Sequence, residues 1–386
     1  MKIRAPGIEA KIGEFEVVKE TRYLGIQIGG RGRNIFEMEN RKLIEKAEEK
    51  VNALLAQIKK SADRVIVGKA IWKLMAIPAI LFGRALIPTS NTHIEKLQRL
   101  ENRVWRYLLG IGGYSTVESL RGEMGASMVK SRVMETMLAY AMDTLTGKFQ
   151  EVKKMMKHTI DKEKGRWFKT INEYRIELNI SWEDLENMDR ASLKMIVREY
   201  DTDKWRIGMA GKTSLRYYVQ EKKTIEYEHC YRNNGNSIFL ARAKMNTLKL
   251  EEHKGRGLPD YDRTCKMCRN GTEDLVHFIT ECRKLEEYRN YNIIDRRTVN
   301  TEERMRKLLF RDERHQEIGY MIKKMWEGRR NILETNKNRQ KMNYRNFTRI
   351  GNIPPHRGGY GSEPIRRKGG CTNPKQRHRS STVGRG

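Results

Sequence analysis

Cys265 and Cys268 are separated by two residues, His277 follows after eight more, and Cys282 after a further four, giving C-x2-C-x8-H-x4-C. Two cysteines at that spacing can place both thiolates on one ion from a tight turn, and the histidine and third cysteine complete a tetrahedron. Three thiolates, one imidazole and no spare carboxylate describe a closed structural Zn2+ site, not a catalytic one with an open position. Five cysteines are an odd number, and three cluster beside a histidine. That pattern points to a reducing compartment and a metal site, and away from a disulfide framework. His229–Cys230 has no two further ligands at a usable spacing, and Cys371 and His378 lie in a basic tail, so these four are read as bystanders. No nucleophile-elbow spacing, HExxH pair or GxxxxGK[ST] loop occurs, and no two aspartates are adjacent.

Arg263, Lys266, Arg269, Arg283 and Lys284 surround the four ligands and could offer a basic surface to phosphates. The whole chain is basic: 386 residues, 33% charged, net charge +29. A surplus of this size repels itself in a compact state, so a polyanionic partner is expected: nucleic acid first, an anionic membrane surface second. No apolar run approaches the ~20 residues that span a bilayer. The opening Met1-Lys2-Ile3-Arg4-Ala5-Pro6-Gly7 lacks the apolar core of a secretory signal. A nuclear or cytoplasmic protein, neither secreted nor membrane-bound, is the expectation.

The elements that must position these residues are mainly helical. At the start, Ile8, Ala10 and Ile12 alternate, Gly13-Glu14 can turn, and Phe15 and Val17 resume the alternation; a third strand is expected over Tyr23–Ile28. Gly29-Gly30-Arg31-Gly32-Arg33 then reads as a flexible basic turn. Ile44, Ala47, Val51, Leu54, Leu55 and Ile58 form one helical stripe. A second helix is expected from Ser61 towards Pro78, burying Val65, Ile66, Ala70, Ile71 and Leu74. A third runs from Asn91 to Leu109 with Gly110 placed to end it. Ser115 with Glu118 has the form of a capping box, and a methionine-rich helix over 127–146 reads as adaptable core. The stretch to about Leu250 stays helical, with Trp182, Trp205 and Tyr217-Tyr218 read as buried aromatics beside solvated charges. Thr272-Glu273-Asp274 reads as the start of a short helix with His277 on its second turn. Ile318, Met321, Ile322 and Met325 mark one more helix. Beyond Thr335 the composition of Gly, Pro, Asn, Arg and Lys predicts disorder.

Several of these segments, in this order, resemble the carboxy-terminal part of the reverse transcriptases of non-long-terminal-repeat retrotransposons. Tyr23-Leu24-Gly25-Ile26 resembles the strand that follows the palm and helps to hold the primer end. Ile77-Pro78-Ala79-Ile80-Leu81-Phe82-Gly83 and Leu97-Gln98-Arg99-Leu100-Glu101-Asn102 are similar to the helical stretch after it. Leu120, Glu123 and Gly125 resemble the family's "L..E.G" segment, with Val117 where a proline usually stands. Arg242-Ala243-Lys244-Met245-Asn246-Thr247-Leu248 leads into Glu273-Asp274-Leu275-Val276-His277-Phe278 and Cys282, which resemble the family's terminal zinc knuckle.

The resemblance implies a nucleic-acid-binding fragment of an RNA-directed DNA polymerase, with Tyr23, Leu24, Gly25, Arg31 and Arg33 near a primer end and the knuckle cations on RNA or target DNA. The catalytic aspartates that hold two metal ions are missing, so polymerisation, and with it Mg2+, is expected only if another chain supplies that half. The implied organisation is a β-hairpin end of a palm (1–33), a helical thumb-like domain (34–148), a helical linker (149–250), the knuckle with flanking helices (251–334) and a disordered basic tail (335–386). A zinc-stapled protein–protein adaptor derived from a mobile element is the alternative, since such sites serve either purpose.

Overall fold

The computed structural model describes residues 11–12, 15–16, 20–23, 26–29 and 36–350, apart from 60–62, 114, 232–234, 256 and 296. These are mainly helical. Among the first thirty residues, β1 (Lys11–Ile12) lies antiparallel to β2 (Phe15–Glu16), and β3 (Glu20–Tyr23) to β4 (Ile26–Gly29). The single strand expected over 23–28 is therefore two strands facing each other, with Tyr23 opposite Ile26. Leu24, Gly25, Arg31 and Arg33 lie outside the described residues, and of Tyr23 only the backbone is described.

The first long helix, α1 (Glu37–Ile58), buries Ile44, Ala47, Val51, Leu54 and Ile58 against α4 (Asn91–Leu109). The stripe of α4 is buried as its spacing predicts: Ile94, Leu97, Leu100, Val104 and Leu108. Gly110 ends it at φ +61, a left-handed position that a side chain would strain, with Ile111 N–H donating to Arg106 O.

Between these helices the structure corrects the sequence reading. The second helix begins at Arg64, and α2 (Arg64–Ile71) passes through a wide turn at Trp72–Ala76 into α3 (Ile77–Leu81). Pro78 does not stop it, because it occupies the first turn of α3, where a missing N–H is tolerated; Ile77 N–H donates five residues back to Trp72 O. The buried side is Val65, Gly68, Trp72, Ala76 and Ile80, while Ile66 and Leu74 are exposed. Trp72 sets that register: its ring packs edge-on against Trp105, and its Nε1 donates to buried Glu101 at 2.9 Å. Gly68 sits where a Cβ would meet the Leu108 side chain at 2.4 Å.

The next helices are α5 (Val117–Met124), α6 (Val129–Thr146), α7 (Gln150–Lys162), α8 (Arg166–Glu177), α9 (Trp182–Asn187) and α10 (Arg190–Met209). The cap of α5 is Thr116, which accepts from Ser119 N–H; Ser115 instead takes Arg106 Nε at 3.1 Å and donates to Gly112 O. Met134, Met137 and Met142 of α6 are core. Trp205, Tyr217 and Tyr218 are buried, and Trp182 stacks on Phe168. A buried ion pair joins α5 to α10: Arg121 meets Asp201 at 2.8 Å, and Asp201 also accepts from Ser131 Oγ.

The "L..E.G" residues are structural. Leu120 is buried; Glu123 is buried against Lys244 Nζ at 3.2 Å and accepts the Tyr231 hydroxyl. Gly125 has φ +61, and a Cβ there would lie 2.6 Å from Tyr227 N.

The helices α11 (Arg216–Glu221), α12 (Gly235–Lys244), α13 (Glu251–Lys254) and α14 (Thr301–Arg306) lead to α15 (His315–Ile350). Residues from Ile44 to Met325 contribute to one hydrophobic core, with Ile318, Met321, Ile322 and Met325 as its last stripe. The described residues up to Glu334 form one compact unit, and those from Thr335 on belong to a second. Disorder from residue 335 is corrected: helix continues to Ile350. The stretch 335–350 holds no Gly or Pro to break it, and the first glycine is Gly351. No helix among the described residues is long and apolar enough to cross a membrane.

Candidate metal centre

The four residues singled out by spacing converge. The sulfurs of Cys265, Cys268 and Cys282 and a ring nitrogen of His277 all lie within 4.8 Å of one another. Cys265 Sγ and Cys282 Sγ stand 3.8 Å apart, and Cys268 Sγ lies 3.3 Å from His277 Nε2. A tetrahedron with Zn–S arms of about 2.3 Å and a Zn–N arm of about 2.0 Å has edges of about 3.8 Å and 3.5 Å. Size and donor set therefore both fit Zn2+. Cys265, Cys282 and His277 are buried and Cys268 is half-buried, so the cluster leaves little room for a reacting water. Zinc here would be a structural staple held by these four side chains.

Each ligand is placed by local backbone chemistry. Cys265 N–H donates to Gly271 O at 2.9 Å, and Arg269 N–H turns back to Cys265 O at 2.7 Å. Arg269 takes the left-handed conformation, φ +57, that closes the two-cysteine turn. A single antiparallel bridge, Thr264 to Thr272, seals the loop. The helix expected from Thr272 starts later, at Leu275, because Thr272 is held in that bridge and Asp274 Oδ1 caps His277 N–H at 2.8 Å. His277 is thus on the first turn. A wide turn over His277–Glu281 follows, and Cys282 N–H donates to His277 O, bringing the fourth ligand back beside the third.

The electrostatics suit ligation. The hydrogen bond shared with Cys282, more than any other influence, pulls the Cys265 thiol down to about 3, and it pushes Cys282 well up. The two sulfurs share one hydrogen bond, and a cation that replaces its proton frees both as ligands. Burial alone would lower His277, but the hydrogen bond and charge of Cys265 raise it. Glu281 Oε2 lies 3.5 Å from His277 Nδ1, where it can orient the ring so that Nε2 faces the sulfurs.

Supporting residues that spacing did not reveal come from outside the motif. Arg289 is buried and donates to Ile279 O at 2.8 Å and Cys282 O at 2.9 Å, clamping the final ligand's backbone. Glu273 is buried and accepts Arg329 in a two-pronged pair at 2.6 and 2.7 Å, together with Glu251 N–H at 3.0 Å. Phe278 packs edge-on against Trp326 of α15. Glu281, one helical turn beyond His277, could have been found from its spacing. Arg289 and Arg329 carry no such signal.

The five cations expected to face phosphates divide into two groups. Lys266 Nζ is 2.9 Å from Glu251, and Arg263 donates to Gly255 O at 3.0 Å. Arg269, Arg283 and Lys284 are exposed and make no side-chain hydrogen bond or ion pair among the described residues. Cys230 is buried beside Lys244 and Glu123, and burial pushes its thiol up to about 12, which leaves it unreactive.

No protein-family model matches the chain, no curated protein is detectably similar to it, and no solved structure matches its fold.

Proposed function

We propose that the chain binds nucleic acid without chemistry of its own, as the thumb, linker and zinc knuckle of a retrotransposon reverse transcriptase would. The observation that carries this reading is the closed Cys3His cluster bearing three exposed cations, Arg269, Arg283 and Lys284, unpaired among the described residues, on a chain of net charge +29. A cation with no acidic partner remains free to displace counterions from a phosphate. The ordered sequence segments described above supply the family, and RNA or DNA within the nucleus or cytoplasm supplies the partner. Mg2+ enters only with a separate catalytic half that brings the aspartates.

The test is binding of the zinc-loaded chain to RNA and DNA across a salt series. Affinity should fall steeply with salt, and replacing Arg269, Arg283 and Lys284 together by Ala should reduce the slope of log affinity against log salt by roughly 2–3. Failure to bind any nucleic acid at low salt, with zinc retained, would sink this reading in favour of a protein–protein adaptor.

A further inference from the structure

A pocket of about 470 Å3 lies between α6, α10 and the wide turn at Trp72–Ala76. Its volume falls within the ~300–1,000 Å3 of small-ligand sites. Lys73 lines it from the wide turn, Lys194 and Arg198 from α10, and Ser127 from the residues just before α6. The three cations are exposed and Ser127 is half-buried, so a molecule in solution can reach each of them.

The charges here do not cancel. Lys73, Lys194 and the Ser127 hydroxyl make no side-chain hydrogen bond or ion pair among the described residues. Arg198 reaches only Glu226, at 3.9 Å with both side chains exposed, a contact that water screens. Lys194 and Arg198 stand one turn apart on α10, where like charges repel. Lys69, one turn before Lys73, feels the same excess: burial and the charge of Lys73 pull its amine down to about 8. The remaining charges of the lining are matched, with one exception. Asp201 is buried against Arg121 and Ser131, and Arg132 is held by Glu101. Glu135 alone is unpaired among the described residues. Three cations facing one carboxylate call for an anion. A carboxylate, or a phosphodiester within a strand, brings a single charge and two free oxygens. A phosphate monoester brings about −1.5 to −2 at pH 7 and three terminal oxygens. It also ends its chain, so it enters a pocket that a strand continuing on both sides would have to thread.

We propose that this pocket seats a terminal phosphate, a phosphate monoester borne by the end of a nucleic-acid strand or by a free nucleotide. Lys73, Lys194 and Arg198 share its oxygens, and the Ser127 hydroxyl donates to one of them. Glu135 opposes the ligand and keeps its binding reversible. None of these residues belongs to the knuckle, so this site and the nucleic-acid reading above can fail separately.

The test uses the zinc-loaded full chain. Fluorescence anisotropy compares a short single strand with and without a 5′-phosphate, and calorimetry compares adenosine 5′-monophosphate with adenosine. The phosphate should tighten binding about tenfold in at least one of these pairs, and the pair that responds identifies the source. Lys73→Ala with Lys194→Ala should abolish that preference. A charge-matched control, Lys162→Ala with Lys164→Ala, should keep it. All four lysines are exposed, so thermal melting and zinc content should be unchanged in both variants. Glu135→Gln should strengthen the preference about threefold, because it removes the opposing charge. A native chain that prefers neither phosphorylated ligand, or a preference that survives Lys73→Ala with Lys194→Ala, overturns the proposal; strands that bind regardless of their end phosphate leave the broader reading standing. Preference for adenosine 5′-monophosphate with no strand bound at all upholds the pocket and sinks the broader reading.

Discussion

Replacing Arg329 by Met should loosen the knuckle's grip on zinc, although residue 329 lies far along the chain from every ligand. Arg329 is almost wholly buried and meets both oxygens of equally buried Glu273, with Glu251 3.5 Å away. Removing one member of a buried pair leaves an uncompensated charge, at about 3–5 kcal/mol. Glu251 keeps Lys254, Lys266 and Tyr261, so Glu273 alone is orphaned, which favours the lower end of that range. Glu273 sits between the paired cysteines and His277 and holds Glu251 N–H, so the strain falls on the loop that forms the site. If metal binding and closure of the knuckle are one event, about 3 kcal/mol becomes roughly a hundredfold loss of zinc affinity. Competition between the protein and a chromophoric chelator measures it. Adding Glu273→Gln to Arg329→Met should recover at least half of the loss, because the orphaned charge is then gone. Unchanged zinc affinity in Arg329→Met, or a double variant no better than the single, would refute the reasoning.

Three further outcomes are expected. Cys265→Ser should lower bound zinc from one per chain towards none, measured by atomic emission, and chelation of the native chain should expose the knuckle to protease. Gly125→Ala should destabilise by at least the roughly 1–2 kcal/mol of a left-handed alanine, with more for displacing Tyr227, read from urea denaturation. Glu228 opposes its own burial through the charge of Lys244 and a hydrogen bond from Lys222, which hold its carboxyl below 4.5. A lowered folded value gives stability that is present above 4.5 and lost as pH falls through the folded value. Glu228→Gln should therefore be less stable than the native chain at pH 7, and the gap should close in acid.

The four candidate metal ligands were legible because ligand type and spacing are local, and the structure adds only how each is aimed. Helices α1 and α4 were legible because their apolar residues repeat at 3.6 and each has one strong stripe. Helix α2 is legible only in part: Val65 is buried and Ile71 packs on the core, but Ile66 and Leu74 are exposed, because the inward face is set by Trp72, whose burial depends on Trp105 and Glu101 in another helix. The wide turn at Trp72–Ala76, which carries the helix through Pro78, has no signal in the sequence, because it depends on the backbone hydrogen bond from Ile77 N–H to Trp72 O. The cap of α5 moved by one residue because Ser115 was already engaged by Arg106.

By itself, the sequence determined a mainly helical chain, a strong positive charge and a Cys3His cluster, since composition and spacing act over a turn or two of backbone. Only the tertiary structure decided which cations are spent inside the molecule and which are free. Lys266 is 15 residues from Glu251, and Arg329 is 56 from Glu273. Charge pairing across such separations is fixed by which surfaces the core brings together, and no local pattern encodes it. The same holds for Asn246, whose amide is buried without a hydrogen-bond partner among the described residues because of what packed around it.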